Sequence, residues 1–113
     1  MNKELVPDLE ICQEAKAKGV VIESSFWYKI GDSTGTVNII LKEKLDIGNI
    51  HFSYYPAPLT DEILKKLKDV EIEIVCGIDN VFIVRWLNDS FIDKKLSNAL
   101  LLLAIKLKDE GII

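Results

Sequence analysis

The pentapeptide GDSTG, Gly31 to Gly35, satisfies the G-x-S-x-G pattern of hydrolase nucleophiles, and Asp46 and His51 follow it in the chain order of a hydrolase triad. The pattern works where a strand turns sharply into a helix, which lifts the serine above the sheet so that amide donors can hold an oxyanion. Here the next residues, TVNIILK, form a β-branched run that reads as a strand. Gly, Asp, Ser and Thr at a hairpin tip are also what turn geometry demands by itself. The expectation is therefore a turn at Ser33 and a partly solvated strand residue at His51, with no catalytic residue.

Other chemistries find less. Cys12 and Cys76 lie in apolar periodic segments without CxxC spacing, and one histidine cannot complete a four-ligand zinc site with them. No Gly-rich phosphate loop precedes a helix. Acidic residues such as Asp61, Glu62 and Asp79 carry no special acid–base signal on a surface this rich in carboxylates. No metal or cofactor is expected.

Rings are the remaining candidates. Trp27, Tyr28, Phe52, Tyr54, Tyr55 and Trp86 give large contact areas, and all but Phe52 carry a polar handle on the ring. Strand alternation sends about half of such residues into a core. Of the pair Tyr54 and Tyr55 it should bury one and turn the other outward. A binding surface, if built from rings, would use Trp27, His51, Tyr54 and Tyr55.

The net charge is −4 over 113 residues, with lysines interleaved among acids, so backbone-driven nucleic-acid binding is disfavoured. Lys65, Lys66 and Lys68 crowd one helix, and Lys94 and Lys95 open another, as solvated helix faces do. The sequence MNKELVPDLE lacks the apolar core of a signal peptide, and ALLLLAI is far short of the roughly 20 residues that span a bilayer. A cytoplasmic location is expected.

The elements that must position these residues follow from period and punctuation. Pro7 and Asp8 start a first helix that runs to about Lys18 and stops at Gly19, burying Leu5, Leu9, Cys12 and Ala15. SFWYKIGDSTGTVNIILK reads as a hairpin, and Ile50 to Tyr55 as a third short strand. Pro56 and Pro58 end that strand, and Thr60 caps a second helix, with Leu59 stapled to Leu64.

VEIEIVCGIDNVFIVRWL is a second hairpin whose register can be derived. Pairing Cys76 with Val81 would set the apolar face of one strand against the glutamates of the other. Pairing Cys76 with Phe82 puts Ile72, Ile74, Cys76, Phe82, Val84 and Trp86 on one side and Glu73 opposite Arg85 on the other. A five-residue connection, Gly77 to Val81, is predicted.

Ser90 and Asp93 then open a closing helix of about five turns that stops at Gly111, with Ile92, Leu96, Ala99, Leu100, Leu103 and Leu107 as its main stripe. Leu101, Leu102 and Ile105 make a second apolar patch on its far side. Such a helix is either sandwiched within its own domain or packed against another subunit. The sequence thus predicts a single α+β domain over residues 1–113. It has a mostly antiparallel sheet of four to five strands and three helices in the order α-β-β-β-α-β-β-α, packed mainly on one face.

Three stretches, LEICQEAKAKGVVIESSFWY, YYPAPLTDEILKKL and ALLLLAIKLKDEGII, together resemble a group of small uncharacterised bacterial proteins of phage and prophage-like regions. Leu59 before Thr60 and Lys106 in the closing helix depart from the pattern of that group. The resemblance implies a cytoplasmic phage-associated accessory protein; the group has no assigned activity, so it supplies no catalytic residue. The expected function is contact with other proteins. It would include a homodimer through Leu101, Leu102 and Ile105. The alternative is a small-molecule or nucleotide-binding enzyme with a pocket near Trp27, His51 and Tyr54.

Overall fold

The structure is a computed structural model and describes residues 3–113. Helix α1 (Leu9–Ala17) follows Pro7 and Asp8 and buries Cys12 and Ala15. It stops as its glycine predicts. Gly19 takes φ 79°, its N–H reaches Lys16 O, and Val20 N–H reaches back to Ala15 O at 2.9 Å, so the last carbonyls are satisfied by a left-handed turn. Leu5 departs from the predicted stripe: it is 52% exposed in a short 3-10 turn, and Val6 takes the buried place next to it.

Strands β1 (Phe26–Gly31) and β2 (Val37–Leu41) form the predicted hairpin, with Tyr28 opposite Ile39. Strand β3 (Phe52–Pro56) pairs with the other edge of β1, setting Tyr28 opposite Tyr55. The order is β2-β1-β3, all antiparallel along β1. Leu41 lies beside Phe26 and Phe52 beside Gly31, so residues 42–51 must travel back along the length of β1. Phe26, Ile39 and Tyr55 face the core from this sheet.

Helix α2 is Thr60–Lys66, with Leu59 as the flanking residue. Thr60 is thus the first helical residue and not the cap. Glu62 does the capping work from inside the first turn: its Oε1 accepts Leu59 N–H at 2.7 Å, while Oε2 accepts both the N–H and the hydroxyl of Ser25. The carboxylate therefore ties α2 to the chain just before β1. Leu59 and Leu64 both pack on the core.

Strands β4 (Glu73–Cys76) and β5 (Phe82–Trp86) pair in the derived register, Cys76 opposite Phe82 and Glu73 opposite Arg85. The five-residue connection holds Asp79 and Asn80 at φ 61° and 59°, and Gly77 N–H bonds Val81 O. Acidic and amide side chains tolerate that left-handed region better than most. Arg85 pairs with Glu73 at 2.9 Å.

Two expectations need correction here. Residues Asp89–Asp93 are not the start of the last helix but a sixth strand, β6, joined to β5 by the two-residue turn Leu87–Asn88. The second correction is to the single sheet: no strand of β2-β1-β3 pairs with one of β4-β5-β6, so there are two three-stranded sheets, and the element order is α-βββ-α-βββ-α. The cause of the sixth strand is a choice of partner. As a strand, the segment sets Phe91 opposite Val84 on the face that packs against the core; a helix from Ser90 would have given up that pairing. Ile92, placed by the sequence in the helix stripe, points to solvent instead, 61% exposed.

Helix α3 is accordingly shorter, Leu96–Asp109, and it sits at the centre. It touches α1 on one side, α2 on another, and β5 and β6 on a third. Leu100, Leu103 and Leu107 are fully buried, and so is Leu101, with Ile105 nearly so and Leu102 half-buried. The second apolar patch of the helix is covered by the chain's own elements. The expected dimer surface at Leu101 and Ile105 is thus core, because α1, α2 and the strands β5 and β6 suffice to surround both apolar sides of the helix.

Candidate functional site

The residues singled out by chemistry do not converge. Ser33 is exposed in the turn after β1, where Gly35 takes φ 69° and Gly31 N–H bonds Thr36 O. Strand β2 follows, so no helix stands behind the serine to supply amide donors for an oxyanion. His51 lies in the turn before β3; its backbone binds Asp32 N–H and Asn49 Oδ1. Among the described residues its imidazole makes no hydrogen bond to Ser33 or Asp46. The carboxylate near this turn is Asp32, which accepts the Ser53 hydroxyl at 2.8 Å.

The rings divide between two faces. Trp27 and Tyr54 lie on the outer face of the first sheet as diagonal neighbours, since Trp27 stands opposite Pro56 and Tyr54 opposite Lys29. Phe52 shares that face, with the Lys29 ammonium 4.0 Å from its ring centre. Trp27 donates its indole N–H to Ser24 O at 3.3 Å. Tyr55 points the other way, against the core, under the Lys16 ammonium, which also donates to Tyr54 O.

Neither tyrosine of the pair is the outward ring that alternation predicts. Tyr54, on the outer face, is only 8% exposed, and its hydroxyl is buried without a hydrogen-bond partner among the described residues. Tyr55 is half-buried. His51, Trp27 and Tyr54 therefore do not line one shared cavity.

The thiols are separated in the same way. Cys12 is buried, and burial pushes its thiol up to about 12, which keeps it protonated and inert. Cys76 is exposed on β4. No group of His, Cys, Asp or Glu among the described residues is placed to hold a metal ion. No helix among them is long and apolar enough to cross a membrane.

One polar cluster is well built. Lys95 extends from just before α3 to Asp8 Oδ1 at 2.7 Å and to the carbonyls of Lys3 and Val6, and it is mostly buried. Asn98 completes it: its Oδ1 accepts Asp8 N–H and its amide donates to Asp8 and Asp93. The bond from Lys95 holds the Asp8 carboxyl below its ordinary value, against a smaller opposing effect of burial. Every member is satisfied by another, which makes the cluster a clamp on the start of α1 and leaves no donor over for a substrate.

What remains is surface. Sequence reasoning found only the β4–β5 part of the outer face of the second sheet, because the face is completed by β6, which it read as helix. There Val75, Ile83 and Ile92 stand directly opposite one another across three strands. Val75 and Ile83 are half-buried and Ile92 is open to solvent. The next row on the same face is Glu73, Arg85 and Ser90.

No protein-family model, curated protein or solved structure matches this chain. The function must be read from its own surfaces.

Proposed function

We propose that the chain is a non-catalytic accessory protein that acts through protein contacts in the cytoplasm, of the phage-associated kind that its motifs resemble, and that it works as a homodimer. The dimer surface is the outer face of the second sheet. The observation that carries this reading is the row Val75, Ile83 and Ile92, an apolar band running across all three strands on the side away from the core. A two-fold axis along β5 would set Ile83 against its copy and Val75 against Ile92, an isologous contact that needs no second kind of surface. Glu73 and Arg85 would then lie at the polar rim.

Light scattering on the size-exclusion peak tests it. A dimer is expected for the wild type and a monomer for Ile92→Glu, with the fold retained because Ile92 lies outside the core. A monomeric wild type, or a dimer indifferent to the substitution, would end the proposal.

A further inference from the structure

We propose that the extended segment Val20 to Ser25, between α1 and β1, is a strand-addition site that takes an extended, acidic segment of a partner protein. This surface is separate from the outer face of the second sheet and does not depend on self-association. The segment has the exposure pattern of a strand. Val20, Ile22 and Ser24 are buried while Val21, Glu23 and Ser25 are exposed, the period-two alternation of a half-buried β-strand. Yet it pairs with nothing in either sheet.

The neighbours that pair with β1 both leave at this point. On one edge the ladder takes its last step from Lys42 N–H to Ser25 O, and the chain then turns away in a 3-10 turn. On the other edge Ala57 N–H bonds Phe26 O, and Pro58 and α2 follow. Upstream of Ser25 the backbone N–H groups are tied only at the ends, Val20 N–H to Ala15 O and Ser25 N–H to Glu62, while the carbonyls of Ile22 and Ser24 each accept one side-chain bond, from the Ser24 hydroxyl and the Trp27 indole. The N–H groups of Val21, Ile22, Glu23 and Ser24 have no hydrogen-bond partner among the described residues. A strand-like backbone with unpaired groups is the template used in β-strand addition, where main-chain bonds supply affinity and flanking pockets supply specificity.

Space and charge both fit an added strand. One flank is an open groove of about 340 Å³ walled by Val21, Glu23, Trp27, Lys42 and Pro56. The other is an open groove of about 640 Å³ bounded by Val21, Glu62, Lys65 and Lys66. Around them the charges are uneven. Glu62 is engaged by Leu59 and Ser25, and Glu23 by Lys42 at 2.9 Å. Lys65 and Lys66 are exposed and form no ion pair among the described residues. On a chain of net charge −4, these are cations facing a groove with its own acids already occupied. An incoming strand that alternates apolar and acidic side chains would lay its backbone along residues 21–24 and its carboxylates toward Lys65 and Lys66.

The probe is a short labelled peptide alternating valine and glutamate, followed by fluorescence polarisation on the full chain, with a valine–lysine peptide as counterpart. Saturable binding of the acidic peptide only is expected, weakened at least about tenfold in Lys65→Glu/Lys66→Glu. Hydrogen exchange should show the amides of Val21 to Ser24 exchanging freely alone and protected with peptide bound. No saturable binding, equal binding of the lysine peptide, or protection confined to β2 or β4 overturns the proposal. So does protection of these amides at high protein concentration without peptide, which would make a second copy of the chain the occupant. Lys65 and Lys66 are solvent-exposed, and an unchanged melting curve separates lost binding from lost fold.

Discussion

The ammonium of Lys95 lies 2.7 Å from the carboxylate of Asp8, 87 residues earlier in the chain, and donates its other bonds to the carbonyls of Lys3 and Val6. One side chain thereby fastens the first turn of α1 to the beginning of α3. Replacing it with methionine keeps most of the packing and removes three bonds from a charged donor. The expected cost is about 2 kcal/mol, read by chemical denaturation.

The same contact sets a pH dependence. Because the folded carboxyl of Asp8 titrates below its ordinary 3.8, its contribution is complete above that value and is lost as pH falls through the lower folded value. Asp8→Asn should therefore be less stable than wild type near neutrality and lose less on acidification below about pH 4. Melting curves taken across that range check it. Parallel loss in both proteins would show that the clamp has no part in acid sensitivity.

Leu101 is expected to behave as core. Leu101→Ala should cost about 3 kcal/mol, since this side chain is fully buried and a cavity there cannot collapse easily. Leu102→Ala, at a half-buried position, should cost clearly less. Equal and small effects would mean that this side of α3 is not enclosed.

Two tyrosines should respond oppositely to losing the same atom. The Tyr28 hydroxyl donates to Pro7 O at 2.6 Å in the core, so Tyr28→Phe should destabilise by about 1 kcal/mol. The buried Tyr54 hydroxyl has no partner among the described residues, so Tyr54→Phe removes a desolvated group and should be neutral or stabilising. Thermal unfolding of the two variants side by side makes the comparison.

Leu87 holds φ 53° in the turn between β5 and β6 and is 80% exposed. A branched side chain in that region costs about 1 kcal/mol and buries nothing in return. Leu87→Gly should raise the melting temperature. A loss of stability would mean that the leucine packs in the turn.

That turn also shows where reading by pattern ends. WLND has no glycine to announce a hairpin, and SFID followed by two lysines has the cap and first-turn acid of a helix. Local chemistry favoured a helix at Ser90 to Asp93. Pairing with β5 overrode it; the expectation of one sheet failed separately, because no strand of β2-β1-β3 pairs with one of β4-β5-β6. The hairpin just upstream was legible to the residue, because there a shift of one position would have turned the glutamates Glu71 and Glu73 against the apolar face.

The tyrosine pair and α3 teach the same limit from the other side. Period alone says that Tyr54 and Tyr55 face opposite ways, and they do. It cannot say that Tyr54 is buried although it lies on the outer face. Likewise the apolar circumference of α3 was plain in ALLLLAI, but whether a second subunit or the chain itself encloses it depends on how many elements surround it.

The sequence by itself determined the start and stop of α1 and the start of α2 to within a few residues, the glycine stop of α3, the register of β4 with β5 and the absence of a helix after GDSTG, since each depends on interactions between residues near one another in the chain. Tertiary structure alone decided that Asp89–Asp93 is a strand, that Leu101 and Ile105 are core, and that Val20 to Ser24 alternates buried and exposed side chains without pairing in either sheet. Those outcomes rest on which distant surface reaches a segment first, and periodicity, which records only that a face is apolar, does not carry the identity of what covers it.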